Sequence, residues 1–392
     1  MAPERIRVLH VLGSLEAGGI ETWLTHVHRH VDRARFQFDY LVHTASRSHR
    51  AEMVTALGGR IHVCSSPHNP LKYVPALIRT LRRAGPFDVV HAHVHHFSGL
   101  VLLAARTAGV PIRIAHCHTS GLPHKPYLSL PRHLYCALMA RWIRRHATHR
   151  LSGSHAAAPA LFGPDAASAG AYVVHPYGID LEPFRTVGGG ACVREEFGIP
   201  QSALVVGHVG SFTPVKNHEL LVRMFARLRE RRSDAKLLLV GDGPLKASTR
   251  RLARTLGCDA DMVFAGERRD VPRVMRAMDV FVFPSLSEGL GLVGLEAQAA
   301  GVAVVASAGV PREAAAVPGL MSWVDDSAPS AWVAAVLDAV SRPRVVTPEG
   351  ACVHMERSRF NIACSVRGLE QIYASGYAAA HAARSADAAV AR

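Results

Sequence analysis

One rhythm repeats twice along this chain. Short apolar runs alternate with longer stretches of helical spacing, first over residues 6–175 and again over 204–340. In the first series, strand-like runs at 6–12, 38–43, 88–93, 112–116 and 172–175 enclose helical patterns at 21–31, 51–57, 71–83, 99–107 and 132–146. In the second, runs at 204–209, 236–240, 262–265, 280–283 and 302–306 enclose helical patterns at 218–231, 244–256, 291–300 and 331–340. Near-continuous apolar strands separated by helices suit a parallel sheet covered on both faces. A length of 392 residues, at roughly 150 residues per domain, accommodates two such α/β domains. The glycine run at 187–191 is the clearest punctuation. It predicts a first domain at 1–183, a linker at 184–200 and a second domain at 201–365. A helical stretch at 355–377 carries Phe360, Ile362, Leu369, Ile372 and Tyr373. The terminal helix, about 366–392, is expected to pack back on the first domain.

Charge separates the halves. The net charge is +14, with His counted as neutral. The first 180 residues hold 20 basic and 9 acidic groups and 20 of the 24 His. The basicity therefore belongs to one surface or task. No zinc-finger spacing, aromatic RNP pattern or helix-turn-helix accompanies it, so no nucleic-acid partner is expected. Seven cysteines, an odd number with no CxxC pair, read as small hydrophobes of a reducing cytosol. The first residues pass too quickly into a strand-like run for a signal peptide, and no uncharged run of 18 apolar residues occurs. Residues 132–150 place Leu134, Leu138, Trp142 and Ile143 in an apolar stripe, with Arg141, Arg144, Arg145 and His149 elsewhere. With Lys125 and Arg132 this is the pattern of a basic helix at an anionic membrane face, and equally of an ordinary surface helix.

Open parallel sheets bind ligands at the carboxyl ends of their strands. Turn residues cluster there: Gly13 and Gly18-Gly19 after the first strand, Gly210-Ser211 after the strand at 204, and Gly241-Asp242-Gly243 after the strand at 236. Two such domains with facing strand ends would enclose one central cleft. Gly18-Gly19 could bring backbone N–H groups to a phosphate, or simply make a tight turn. Lys216 precedes a helix, a suitable place to neutralise a phosphate. Glu288 and Glu296 lie eight residues apart. If a helix starts near Gly289, Glu288 sits at its N-terminus and Glu296 two turns on, inside an almost wholly apolar segment. A glutamate there needs a hydrogen-bonding partner such as paired ribose hydroxyls. His91, His93, His95, His96, His116 and His118 match metal ligands by count. Acidic neighbours are few, so packing imidazoles are the expectation, with His118 as a near-neutral histidine facing substrate. Asp88 reads as structural.

In order along the chain, Gly-Gly-Ile-Glu (18–21), Val-Val-His-Ala-His (89–93), Arg-Ile-Ala-His-Cys-His (113–118), Leu-Phe-Gly (161–163), Pro-Tyr-Gly-Ile-Asp (176–180), Val-Lys-Asn-His (215–218), Val-Gly-Asp-Gly (240–243), Asp-Val-Phe-Val-Phe-Pro-Ser (279–285) and Glu-Gly-Leu…Leu-Glu-Ala-Gln-Ala (288–299) are a specific combination. It resembles the retaining family-four glycosyltransferases, especially the exopolysaccharide and capsule branch. The resemblance implies the GT-B fold, two Rossmann-like domains facing a cleft, and cytoplasmic transfer of sugar from a nucleotide-sugar donor to a hydroxyl acceptor. It implies no metal and no other cofactor. By the same resemblance His118 and Glu288 stand near the reacting centre. Gly18, Gly19, Gly210, Ser211, Lys216, Glu288, Gly289, Leu290 and Glu296 line the donor, with Lys216 on the diphosphate and Glu296 on the ribose. Three positions depart from the family pattern. Ser211 replaces a usual Arg, with Arg268 or Arg312 as substitutes; Tyr177 replaces Asn; Gly291 replaces Pro. The acceptor expected from the basic half is a lipid-linked or polysaccharide precursor, with peripheral contact to an anionic membrane. The alternatives are a small soluble acceptor such as an aminocyclitol, or a degenerate partner protein or epimerase-like enzyme. A dinucleotide-dependent oxidoreductase does not fit the glycine spacing.

Overall fold

A computed structural model describes residues 5–16, 18–45, 48–64, 69–119, 130–185, 189–343 and 346–390. Lys125 and residues 187–188 lie outside these. Contacts divide the chain into two compact units, one of residues up to Gly178 together with Ile362 onward, the other spanning Ile179–Asn361. These crossings lie a few residues from the expected 183 and 366. Residues Gly190–Glu196, expected within a linker, form a helix packed in the second unit, where Val193 is buried and Arg194 pairs with Asp279 at 2.9 Å.

The first unit is a seven-stranded sheet: β1 (Ile6–Leu12), β2 (Phe36–Val42), β3 (Ile61–Val63), β4 (Val89–Ala92), β5 (Ile112–Cys117), β6 (His149–Ser152) and β7 (Val173–Val174). The order is β3-β2-β1-β4-β5-β6-β7, and every pairing is parallel. Side chains alternate between faces. Leu9, Val11, Val90, Ala92, Ala115 and Cys117 enter an aliphatic core on one side. The other face carries Phe38, Tyr40, His10, His91 and His116, where aliphatic residues are usual, and β1 aligns His10 with both Tyr40 and His91. Helix Gly19–His30 covers this face with Trp23. Helix Ile362–Val390 also packs on it: Trp23 Nε1 donates to Ser365 Oγ at 2.9 Å, and the Tyr373 hydroxyl lies 2.7 Å from His91 Nδ1.

The second unit repeats the plan with β8 (Val205–Val209), β9 (Lys236–Val240), β10 (Met262–Gly266), β11 (Val280–Phe283), β12 (Ala303–Ser307) and β13 (Met321–Val324), again all parallel, in the order β10-β9-β8-β11-β12-β13.

Three local expectations change. The stretch 355–377 is not one helix: Pro348–Arg357 ends, Phe360 N–H donates to Ser358 Oγ at 3.1 Å, and a new helix begins at Ile362. The basic segment 132–150 is helical only over Leu130–His146; His149 belongs to β6. On that helix Met139 and Ile143 are buried, whereas Leu130, Leu134, Tyr135 and Leu138 face outward, with Leu134 63% exposed. Among the described residues no helix is long and apolar enough to cross a membrane.

Candidate functional site

In the second unit the strand order reverses between β8 and β11, where open α/β sheets form ligand crevices. The loop after β8 carries Gly210, whose N–H donates to Val240 O at 2.9 Å, and Phe212 N–H donates to Asp242 O at 2.9 Å. The chain then makes a 3-10 turn over Pro214–Lys216 and enters helix His218–Arg231 through Asn217 in the left-handed region. The loop after β11 is tied to it where Leu286 N–H donates to Val215 O at 2.8 Å. These two loops bring Lys216 Nζ to 2.6 Å from Glu288 Oε1, with the side chains only 17% and 14% exposed. The ammonium also lies 5.5 Å over the Phe283 ring. A half-buried lysine with one carboxylate partner is poised to exchange that carboxylate for a phosphate oxygen.

Glu288 is fixed differently from expectation. Helix Leu292–Ala299 begins four residues later, and Glu288 sits in the preceding turn, its N–H donating to Gly309 O at 2.9 Å. Gly289 and Leu290 are buried within this turn, and Glu296 lies half-buried on the helix. Gly291 caps the helix at φ +85°, and a Cβ there would meet the Phe283 ring at 2.8 Å. Proline, locked near φ −65°, cannot take this conformation, which explains one departure from the family pattern. Sequence reasoning missed Gln298. Buried completely, it donates to Gly294 O and Ala314 O and accepts from Ala316 N–H and Val317 N–H, pinning the Glu296 helix to the loop after β12.

Neither substitute arginine joins the Lys216–Glu288 pair. Arg268 is held by Asp270 at 2.8 Å and Glu196 at 2.6 Å, hydrogen bonds that raise its pKa further, and it lies over Phe197. Arg312 pairs with Asp325 and stacks on Trp323. Ser211 is exposed, its Oγ 3.4 Å from Thr213 Oγ1. Instead, two imidazoles flank the lysine. His208 Nδ1 lies 2.9 Å from the carbonyl of Val282, so that nitrogen carries the proton and Nε2 is bare. His218 stacks on Phe212 with centroids 4.1 Å apart. Burial, reinforced by the Lys216 charge, keeps both neutral.

In the first unit Gly18 caps and Gly19 opens helix Gly19–His30, and a Cβ on Gly18 would strike the Glu21 carboxylate. His118 follows β5. Its Nδ1 lies 2.5 Å from the Tyr177 hydroxyl and its Nε2 2.7 Å from His93 Nδ1, while His93 Nε2 lies 3.1 Å from His10 Nδ1. A separate run joins His116 Nδ1 to His91 Nε2 at 3.1 Å and His91 Nδ1 to the Tyr373 hydroxyl at 2.7 Å. His118 is thus not a near-neutral base: burial, with His95 and His175 adding, lowers its pKa to about 3. His10, His91 and His93, and again His93, His116 and His118, offer nitrogens within 4.8 Å of one another. Most of those nitrogens already serve as each other's hydrogen-bond partners. Burial and neighbouring imidazoles shift their pKa values, with no carboxylate contributing. A dication there would lack compensating charge.

Residues 18–178 match the family described as Glycosyl transferase 4-like domain, and residues 203–342 that described as Glycosyl transferases group 1. The putative glycosyltransferase EpsF of Bacillus subtilis (strain 168) is 35% identical over 342 residues, covering 86% of this chain and 88% of its own. A D-inositol 3-phosphate glycosyltransferase of Saccharomonospora viridis is 28% identical over 424 residues, covering 96% and 95%. The crystal structure of Anabaena HepE with UDP and glucose shares the fold at a TM-score of 0.78 and 19% identity, covering 95% of this chain and 100% of that one. With one family match on each parallel-sheet unit and a nearly full-length relative at 35% identity, this chain belongs to the group 1, family-four glycosyltransferases of GT-B fold.

Proposed function

We propose that the chain transfers a sugar from a nucleotide-diphosphate donor to a hydroxyl of a lipid-linked or polysaccharide-precursor glycan, with retention of anomeric configuration. The Lys216–Glu288 pair at the strand-order reversal carries this reading. As the glycosidic bond breaks, negative charge grows on the departing diphosphate. Lys216, released from Glu288, stabilises that charge without a metal ion. Glu288 then turns to the donor sugar or phosphate edge, Glu296 holds the ribose hydroxyls, and Gly210 with Ser211 lets backbone approach the phosphates. The leaving phosphate takes the acceptor proton on the face it departs from, so no covalent sugar–enzyme intermediate is invoked. HepE, with UDP and glucose bound, lends analogy for the donor.

The lipid-linked acceptor rests on the first unit. Its outward Leu130, Leu134 and Leu138 share a helix with exposed Arg132, Arg141, Arg144 and Arg145. Leucines that enter the interface beside arginines that meet anionic headgroups suit peripheral contact at a membrane face. The inositol-phosphate relative favours the second reading, a small soluble acceptor. A mass-spectrometric screen of nucleotide sugars against lipid-linked and soluble acceptors decides between them. The transfer reading fails if no donor yields product or hydrolysis, the result a degenerate partner protein would give.

A further inference from the structure

Three imidazoles of the first unit, buried His10 and His93 and half-buried His118, form with Tyr177 a hydrogen-bonded chain whose direction follows from counting protons. One end is closed: among the described residues, His10 Nε2 is buried with no hydrogen-bond partner. The other end is a carbonyl, since the Tyr177 hydroxyl donates to Cys117 O at 3.4 Å. A neutral imidazole has one N–H and one lone pair. If protons point toward Tyr177, His10 Nδ1–H donates to His93, His93 Nδ1–H to His118, His118 Nδ1–H to the tyrosine oxygen, and the tyrosine to Cys117 O. Every N–H is then satisfied and only a lone pair on His10 is bare. Reversed, the chain strands a buried N–H at His10 Nε2, the costlier defect.

We propose that Tyr177 is a positioning residue for His118, fixing it through the chain His10–His93–His118–Tyr177 as the tautomer protonated on Nδ1. The family resemblance implies Asn at this position, and an amide could present either its N–H or its oxygen to His118. A tyrosine whose proton goes to Cys117 O presents an oxygen. The site is built for that ring: it packs 4.9 Å from Trp23, and residue 153 is a glycine because a Cβ there would overlap the ring. Burial keeps the hydroxyl protonated. Both nitrogens of His118 are therefore committed, and it serves transfer by fixed placement instead of proton exchange. That last step rests on the proposed glycosyl transfer and on the place near the reacting centre that the family resemblance implies for His118.

Two-bond ¹H–¹⁵N correlation spectra of the full chain labelled at histidine ring nitrogens test the tautomer directly, whether or not transfer is detected. The expected wild-type result is a proton on His118 Nδ1 and a bare Nε2. Tyr177→Phe keeps the ring against Trp23 but removes the accepting oxygen, so the His118 proton redistributes toward Nε2. His10→Phe leaves it on Nδ1, because reversal would still strand an N–H, now on His93. A proton on Nε2 of wild-type His118 overturns the proposal, as does the same shift in both variants. If His10→Phe does not fold, the wild-type and Tyr177→Phe spectra decide alone. In the assay, Tyr177→Phe lowers kcat about tenfold, the scale of one buried hydrogen bond, with donor KM within about twofold. An unchanged kcat alongside a shifted tautomer refutes the link to transfer while leaving the tautomer assignment intact.

Discussion

Lowering the pH from 7.5 to 5.5 unfolds the first unit before the second. His10, His91, His93, His116 and His175 are each no more than 8% exposed. Burial lowers the pKa of His10 to about 3 and that of His175 to about 4, and drives His91, His93 and His116 well below 6.5, with the other imidazoles adding to the last three. In the unfolded chain these rings titrate near 6.5. Below that pH the unfolded state binds more protons than the folded one, so stability is full above about 6.5 and falls as pH drops toward 4. Each ring contributes about 1.4 kcal/mol over these two pH units, so the five together remove about 7 kcal/mol, against a typical domain stability of about 5–15 kcal/mol. In the second unit two buried imidazoles, His208 and His218, contribute a smaller loss, about 3 kcal/mol by the same arithmetic. Urea unfolding followed by tryptophan fluorescence at each pH gives the total. Hydrogen exchange read by mass spectrometry assigns it to peptides of each unit. A stability change below about 1 kcal/mol, or earlier opening of the second unit, would refute the reasoning.

The site makes sharper demands on activity. Lys216→Ala should lower kcat/KM by roughly 10²–10³, the range for losing one preorganised stabiliser of leaving-group charge, and Glu288→Ala should abolish donor hydrolysis; wild-type rates in either variant would remove the pair from the reaction. EDTA should leave the rate within about twofold if lysine supplies the positive charge, and an EDTA-sensitive rate restored by a divalent ion would count against this. Gly291→Ala places a side chain at φ +85° against Phe283 and should cost about 1–3 kcal/mol, read as a lowered melting temperature. The double change Leu134→Asp and Leu138→Asp should weaken partitioning onto anionic liposomes; equal wild-type binding to neutral and anionic liposomes at low salt would sink the membrane contact.

Much of the fold was legible because its signals are local. Apolar runs such as 204–209 and 236–240 carry strand character within a few residues, and alternation with helices implies parallel sheets. The short or polar strands Ile61–Val63, His149–Ser152 and Met321–Val324 escaped notice, since they lack a long apolar run. The residues about Lys216, Glu288 and Glu296 were visible as motifs, but that Lys216 and Glu288 touch was not: 72 positions separate them, and adjacency of β8 and β11 brings them together. The helix N-terminus assigned to Glu288 was misplaced because Gly291 in the left-handed region delays the helix by a turn.

By itself, the sequence determined that the chain makes two parallel-sheet units and where their strand ends lie, because hydrophobic period is written in neighbouring residues. The tertiary structure alone decided what the many histidines do. His10, His93, His118 and Tyr177 come from distant parts of the chain, and the order β2-β1-β4-β5 stacks them on one sheet face. Their protonation pattern follows from which atoms are left without partners. That is a property of the closed layer, which no local pattern encodes.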